Sequence, residues 1–308
     1  MPEESTALTD RNLVILAGGI ASRMKDSIEN LGAEEGTPAG VDDLLVQEAG
    51  EKPKGMIGVG RGRRPLLDYL LLNARRAGVE DVVIVVRERD SAIRPYYETP
   101  RVKEALGDMR ISYAVQTIPI GRQKPLGTAD ALLQALFSRE DWRDRTFLVC
   151  NSDNLYSARA IRLLLESHHR NALIDYDRRA LEFDQARIER FAVTEKDREG
   201  YLSDIHEKPS PALVQRVSGG GGFVGVSMNI FKLEYNLIFS FLEHLPLHPI
   251  RQEKELPVAV RMMVQRYPKS VATLPLAEHV PDLTSIDDIR AVRDHLQKEF
   301  GDTQWWDQ

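Results

Sequence analysis

The sequence predicts an α/β fold with a mostly parallel sheet flanked by helices. Two observations carry that expectation. Short apolar or β-branched runs alternate along the chain with longer stretches of helical periodicity. The first such run, residues 13–16, stops at Ala17-Gly18-Gly19. A buried strand behaves this way when it delivers the chain to a ligand-binding turn.

The elements follow in order. After the strand at 13–16, Pro65 opens a helix that closes at Gly78, with Leu66, Leu67, Leu70, Leu71 and Ala74 on one face. Residues 82–86 are all Val or Ile, the pattern of a strand buried on both faces. A strand at 111–115, a helix at 129–137, a strand at 146–149 and a helix at 158–169 come next. From about Phe191 the rhythm becomes a hairpin, with 191–194 and 201–205 flanking Asp197-Arg198-Glu199-Gly200. A strand at 223–231, helices near 235–245 and 256–267, and a strand at 271–274 complete the sheet. A last helix starts near Ser285, which with Asp288 resembles a capping box. The acidic, Gly- and Pro-bearing stretch 26–52 reads as a flexible insert or lid within a single domain spanning 1–308. Trp305-Trp306 is expected to pack back onto that domain.

Composition narrows the function. The chain has 308 residues, a net charge of −6, 42% hydrophobic and 29% charged residues, and one cysteine. This is ordinary for a globular protein and excludes a disulfide framework or a Cys-rich zinc site. No run approaches a membrane span and no signal-peptide pattern opens the sequence, so a cytoplasmic protein without a membrane partner is expected. No long basic tract appears, which argues against a nucleic-acid partner. A homo-oligomer is left open.

The residues with chemical potential stand beside turns. Ser22, Arg23 and Lys25 follow the glycines of the first turn, where cations would meet a phosphate chain. Lys54 precedes an apolar segment. Gly127-Thr128 begins a helix, whose unpaired N–H groups would favour an anion or a polar base edge. Asp153 lies just past a buried strand. Glu207-Lys208-Pro209 ends the hairpin, and Asp282 precedes the last helix. Each segment has a plainer reading. Asp153 would equally cap the following helix, Glu207 and Lys208 would form a surface ion pair, and Asp282 would be a turn acid. Glu166, His168 and His169 read as a polar helix end, and Cys150 as a buried thiol.

Order and combination favour the chemical reading. Leu16–Met24, Pro53-Lys54, Gly127–Ala131, Ser152–Leu155, Glu207–Pro209 and Asp282 resemble, in sequence, the ordered motifs of the sugar nucleotidyltransferases, the sugar-1-phosphate pyrophosphorylases. The resemblance spans about residues 12 to 298, and is nearest to the glucose-1-phosphate adenylyl- and uridylyltransferases. It implies a Rossmann-like, GT-A-like mixed sheet with an inserted antiparallel sugar-binding part; no C-terminal β-helix repeat is visible. It further implies a Mg²⁺-dependent reaction of an NTP with a sugar 1-phosphate. By resemblance, Leu16, Ala17, Gly18 and Gly19 would hold the nucleotide, with Gln116, Gly127 and Thr128 at the base. Arg23 would grip the leaving phosphates and Lys54 the α-phosphate. Asp153 and Asp282 would hold the metal. Glu207 and Asn229 would meet the sugar, and Lys208 its phosphate.

The chain departs from the family pattern at Ala21, Ser22, Ser152, Ala192 and Asn229, and in the long linker from Arg23 to Lys54. Two rival readings stand beside the enzyme: a non-catalytic, ligand-sensing relative that regulates a partner, and a nucleotidyltransferase for a non-sugar acceptor. The departures leave the nucleobase and the sugar open.

Overall fold

A computed structural model describes residues 10–19, 22–31, 41–218 and 222–303. Ala21, residues 32–40 of the insert, residues 219–221 and the Trp305-Trp306 pair lie outside the described residues.

Nine strands are seen among the described residues, and they form one mixed sheet. They are β1 (Asn12–Leu16), β2 (Asp81–Arg87), β3 (Arg110–Gln116), β4 (Thr146–Asn151), β5 (Ala172–Asp177), β6 (Val193–Lys196), β7 (Leu202–His206), β8 (Gly225–Glu234) and β9 (Ala272–Leu276). The order is β3-β2-β1-β4-β8-β5-β9, with β6 paired to β7 and β8. Pairs β1–β2, β1–β4, β2–β3 and β5–β9 are parallel, and β8 runs antiparallel to β4 and β5.

Strand β1 shows why the sheet needs two helical layers. Leu13 and Ile15 enter the hydrophobic cluster that contains the helices Leu66–Ala77, Ala158–Glu166 and Asp288–Phe300. Val14 and Leu16 enter the opposite cluster, with the helices Thr128–Ser138, Tyr235–Glu243 and Leu256–Arg266. Truncating one such leucine to alanine costs about 2–5 kcal/mol. Gly78 ends the first of these helices in the left-handed region at φ 99°, as the sequence anticipates.

Besides the short helices Ile93–Tyr97, Pro100–Leu106, Gln185–Ile188 and Pro211–Val217, which the sequence reading did not anticipate, three elements differ from it. The helix expected to run to His169 ends at Glu166, where Ser167 turns extended and its carbonyl accepts from Lys232 Nζ at 2.7 Å. Strand β5 was not visible in the sequence because Asp175 and Asp177 interrupt its apolar run. Asp175 is fully buried and survives there because Thr194 Oγ1 donates to it at 2.5 Å and Lys196 pairs with it across the sheet. The described parts of stretch 26–52 are largely helical: Ser22–Leu31 and Asp43–Glu51. The second helix is anchored. Leu45 and Ala49 are buried, and Glu48 accepts from Gly58 N at 2.8 Å.

The segment before the last helix is pinned along its length. Glu278 accepts from Ser157 Oγ at 2.6 Å, and His279 Nδ1 accepts from Glu182 N at 3.1 Å. Asp288 Oδ2 accepts from Thr284 N and Ser285 N at 2.8 and 2.7 Å, a capping contact made by the side chain the sequence singled out.

Burial depresses the His279 pKa to about 4, from an ordinary value of 6.5. Between those values the unfolded chain binds a proton that the folded chain refuses. Stability therefore falls as pH drops from about 6.5 toward 4. His279→Asn removes the titration and should flatten that acid limb. Denaturant midpoints measured from pH 7 to pH 4.5 check this; equal slopes for the two proteins would contradict it.

Candidate functional site

The site lies at the carboxyl ends of β1 and β4. From β1 the chain winds through β2 to β3 on one side, while β4 lies on the other. Open α/β sheets place their ligand crevice at such a reversal. A cavity of about 310 Å³ opens there.

Its floor is the glycine turn. Ala17 N continues the ladder by donating to Val85 O at 3.0 Å. Gly18 passes close beneath Gln116: a Cβ on Gly18 would meet Gln116 Oε1 at 2.9 Å. Leu16, Ala17, Gly18 and Gly19 line the cavity, and the following helix brings Arg23 to it. Arg87, at the end of β2, donates from Nη2 to Gly19 O at 2.5 Å and so holds the turn. Its Nε is buried without a partner among the described residues, and burial lowers the guanidinium pKa.

One wall is built by two glycine-dependent contacts. Lys54 begins a short 3₁₀ turn, Lys54–Met56, after extended Pro53. Gly55 in that turn touches the end of β4, and a Cβ there would lie 2.9 Å from Ser152 O. This close approach sets Lys54 Nζ 3.0 Å from Asp153 Oδ2, with both side chains largely covered. Asp153 does not cap the next helix; Ser157 does, accepting from Ala160 N at 3.0 Å. Cys150, near the end of β4, is buried, and burial pushes its thiol pKa well up.

The opposite wall comes from Gln116, Gly127 and Thr128. Gln116 is buried and its Nε2 donates to Gly127 O at 2.9 Å and Asp130 Oδ2 at 2.8 Å. Gly127 has φ 106° and abuts the backbone of Lys254, which no side chain would tolerate. The expectation of a free helix start there is corrected. Ala129 N donates to Lys254 O at 2.9 Å, and Thr128 Oγ1 accepts from Leu256 N at 2.9 Å. The 126–129 segment is stapled to residues 254–256 and does not present its Ala129 N–H to an anion.

Sequence reasoning missed four contributors here: Arg87, Lys124, Glu253 and Glu255. Lys124 and the two glutamates line the cavity. Burial, then the nearby Glu207 charge, raises the Glu255 pKa, while Arg251 pairs with both Glu207, at 2.6 Å, and Glu255. Arg251 and Glu255 are four residues apart, but nothing in local spacing links them to Glu207; only the fold does.

Four expected residues stand outside the cavity lining. Glu207 and Lys208 follow β7, with Glu207 paired to Arg251 instead of Lys208. Lys208 is left-handed at φ 47°. Asn229 sits in β8 at φ 58°, where the β5–β8 register slips between Leu173 and Asp175. That bulge explains a position where glycine is the easy residue and asparagine is tolerated.

Asp282 lies beside Asp153 through the backbone. Asn154 and Asp282 form an antiparallel bridge, Leu283 N donates to Asp153 O at 2.8 Å, and Leu155 N to Pro281 O at 2.9 Å. The Asp282 carboxylate is almost wholly covered. Arg187 Nη2 donates to its Oδ2 at 2.7 Å, and Thr284 Oγ1 is 2.9 Å from both oxygens. Arg187 also pairs with Asp288 and lies 4.3 Å over the Phe183 ring. Burial, then the charge of Asp153, raises the Asp282 pKa.

Comparison with known proteins agrees with this architecture. The family model described as nucleotidyl transferase matches residues 49–273. The chain is 34% identical over 106 residues to the bifunctional protein GlmU of Symbiobacterium thermophilum, covering 34% of this chain and 19% of that protein. It is 29% identical over 206 residues to a mannose-1-phosphate guanyltransferase of Emericella nidulans, covering 65% of this chain and 48% of that one. The chain thus spans 19% and 48% of the lengths of these curated relatives. Among solved structures, UDP-glucose pyrophosphorylase complexed with UDP-glucose superposes with a TM-score of 0.63 at 15% identity, over 94% of this chain and 98% of that one. A putative glucose-1-phosphate thymidylyltransferase from Bacillus anthracis gives 0.63 at 16% identity, over 96% and 98%. No helix among the described residues is long and apolar enough to cross a membrane. With its mixed sheet, glycine turn and matched span, the chain belongs to the nucleotidyl transferase family.

Proposed function

We propose that this protein joins an NTP to a sugar 1-phosphate, giving a nucleoside-diphosphate sugar and pyrophosphate. The observation that carries this reading is the Lys54–Asp153 contact, 3.0 Å, in the same cavity as the glycine turn, Arg23 and Gln116. A cation, an acid and open backbone are thereby gathered in the crevice where a triphosphate would lie.

The reaction asks little of acid–base chemistry. A phosphate oxygen of the sugar 1-phosphate attacks the α-phosphorus, and the bond to the β-phosphate bridging oxygen breaks as pyrophosphate leaves. The nucleophile is already ionised at neutral pH. The protein must align two polyanions and balance the charge that builds on the leaving oxygen. In this reading Leu16, Ala17, Gly18 and Gly19 cradle the nucleotide and Gln116, Gly127 and Thr128 bound the base. Arg23 grips the departing phosphates bidentately, and Lys54 places a point charge at the α-phosphate. Glu207, Lys208 and Asn229 form the sugar side, with Arg251 shared by the Glu207 carboxylate.

The residues fit a divalent ion unequally. Asp153 supplies a hard oxygen ligand at the cavity and suits Mg²⁺. Asp282, its neighbour across the bridge, is already served by Arg187 and Thr284. The repulsion between the two carboxylates, which contributes to the raised Asp282 pKa, is what a divalent charge would relieve. In the proposed site Asp153 and Asp282 hold Mg²⁺, Arg187 yielding its place on Asp282. The ion would add positive charge beside the phosphates. We further read the chain as one domain, in which the Asp43–Glu51 part of stretch 26–52 is anchored.

Pyrophosphate release is the direct assay, with Mg²⁺ and a panel of NTPs and sugar 1-phosphates. Asp153→Ala and Arg23→Ala should keep the fold and lose turnover by about 100-fold or more. Full activity in both variants, or no turnover by well-folded wild type with any pair, would contradict the assignment. Gly55→Ala should leave the chain folded but push the Lys54–Met56 turn off Ser152 and so shift Lys54 from Asp153. Turnover should drop by roughly 10- to 100-fold, since small misplacements weigh heavily on aligned reactions. Unchanged turnover of Gly55→Ala would show that the close contact does not position Lys54.

A further inference from the structure

This inference rests on reading Asp153 and Asp282 as the metal end of a nucleotidyl-transfer site. Two cations hold these acids, and the cations are themselves held differently. Lys54 Nζ pairs with Asp153 at 3.0 Å, its one carboxylate partner among the described residues. Arg187 has three attachments. Its Nη2 donates to Asp282 Oδ2 at 2.7 Å, its Nη1 pairs with Asp288 Oδ1, and its guanidinium lies 4.3 Å over the Phe183 ring. Asp288 is a fixed post, because its Oδ2 accepts from Thr284 N and Ser285 N at 2.8 and 2.7 Å. Arg187 stands in the short helix Gln185–Ile188, whose start is capped by Asp184. An arginine released from Asp282 therefore keeps an anion and an aromatic face. A lysine released from Asp153 has no second carboxylate among the described residues. Asp282 adjoins Asp153 through the backbone yet does not line the cavity, its oxygens being taken by Arg187 and Thr284.

We propose that Arg187 is an exchangeable counter-ion. It occupies Asp282 until a divalent cation arrives, then rests on Asp288 and the Phe183 ring, and this competition sets the metal affinity of the Asp153–Asp282 pair. The charges favour exchange over simple addition. Asp153, Asp282 and Asp288 carry three negative charges, and Lys54 and Arg187 carry two positive ones. With a divalent ion on Asp153 and Asp282, Arg187 balances Asp288, and the Lys54 ammonium is left for the phosphates. Every one of the three carboxylates keeps a partner in both states, as a covered acid requires. Without exchange, the ion meets a guanidinium already at hydrogen-bond distance from the oxygen it needs, like charge against like. In this scheme Arg187 touches neither substrate nor the reacting atoms. It is a positioning residue that acts through Asp282.

Mn²⁺ reads the exchange, since it takes the same oxygen ligands as Mg²⁺ and its free form is counted by electron paramagnetic resonance. It is titrated alone, with no NTP or sugar phosphate. Arg187→Gln should bind Mn²⁺ about tenfold or more tighter than wild type, because Asp282 no longer has to be vacated. Asp288→Asn, which keeps one oxygen for the Thr284 and Ser285 amides, should weaken binding by about threefold or more, because Arg187 loses the acid it rests on. In an Asp282→Asn background the Arg187→Gln gain should shrink to within about twofold, which separates the contact from a general loss of positive charge. Unchanged or weaker binding by Arg187→Gln, unchanged or tighter binding by Asp288→Asn, or a gain that persists without the Asp282 carboxylate would overturn the proposal. So would the absence of Mn²⁺ binding by wild type and Arg187→Gln alike. If Arg187→Gln does not fold, Asp288→Asn decides alone. Pyrophosphate release by wild type is scored separately: with turnover present, any of these failures leaves the nucleotidyl-transfer reading standing, and with turnover absent for every substrate pair that reading falls whatever the Mn²⁺ affinities.

Discussion

The antiparallel bridge between Asn154 and Asp282 is the contact on which the site depends. It joins the loop after β4 to the loop before the last helix, and it does so with backbone hydrogen bonds on both sides. Two acids are thereby held side by side just past the carboxyl end of the apolar strand β4. That arrangement is costly, because a carboxylate removed from water must find compensating charge or donors. Each acid has its own answer. Asp153 takes the Lys54 ammonium; Asp282 takes Arg187 and Thr284. The cations lie in separate parts of the chain, so the pairing also closes the fold around the cavity.

The same logic recurs where polar groups are buried elsewhere. Asp175 is paid for by Lys196 and Thr194 of β6, on the far side of β8. Gln116 is matched by Asp130 and Gly127, and Arg251 ties Glu207 to Glu255. In each case the partner lies across an element boundary. An exposed pair such as Arg251–Glu207 contributes little and is screened by salt; the covered groups at Asp175 and Gln116 instead fix geometry, because removing one member strands the other. Gly55, Gly18 and Gly127 do the complementary job. They let backbone approach backbone or a buried side chain closely enough for those pairs to form.

The sheet was largely legible in the sequence, because strands buried on both faces leave unbroken apolar runs such as 82–86. Strand β5 was not, since two aspartates break its run and their compensation comes from β6. The turn residues Gly18, Gly19, Lys54 and Gly127, with Gln116 and Asp153, could be named because they occur in short ordered motifs, and the structure gathers them at one cavity. Arg87, Asp130 and Arg187 could not, since what they do depends on partners 14 to 101 positions away, and Glu253 and Glu255 could not because only the fold brings them to the cavity. Helical periodicity likewise gave no sign that residues 254–256 would occupy the start of the 128–138 helix.

The most direct measurement follows one oxygen through the reaction. The sugar 1-phosphate that supports turnover is prepared with ¹⁸O in the non-bridging oxygens of its phosphate, and the products are read by ³¹P NMR. Attack on the α-phosphorus predicts an isotope shift on both phosphorus signals of the nucleoside-diphosphate sugar, through the labelled bridge, with pyrophosphate unlabelled. An unshifted α-phosphorus, or label in the pyrophosphate, would contradict it.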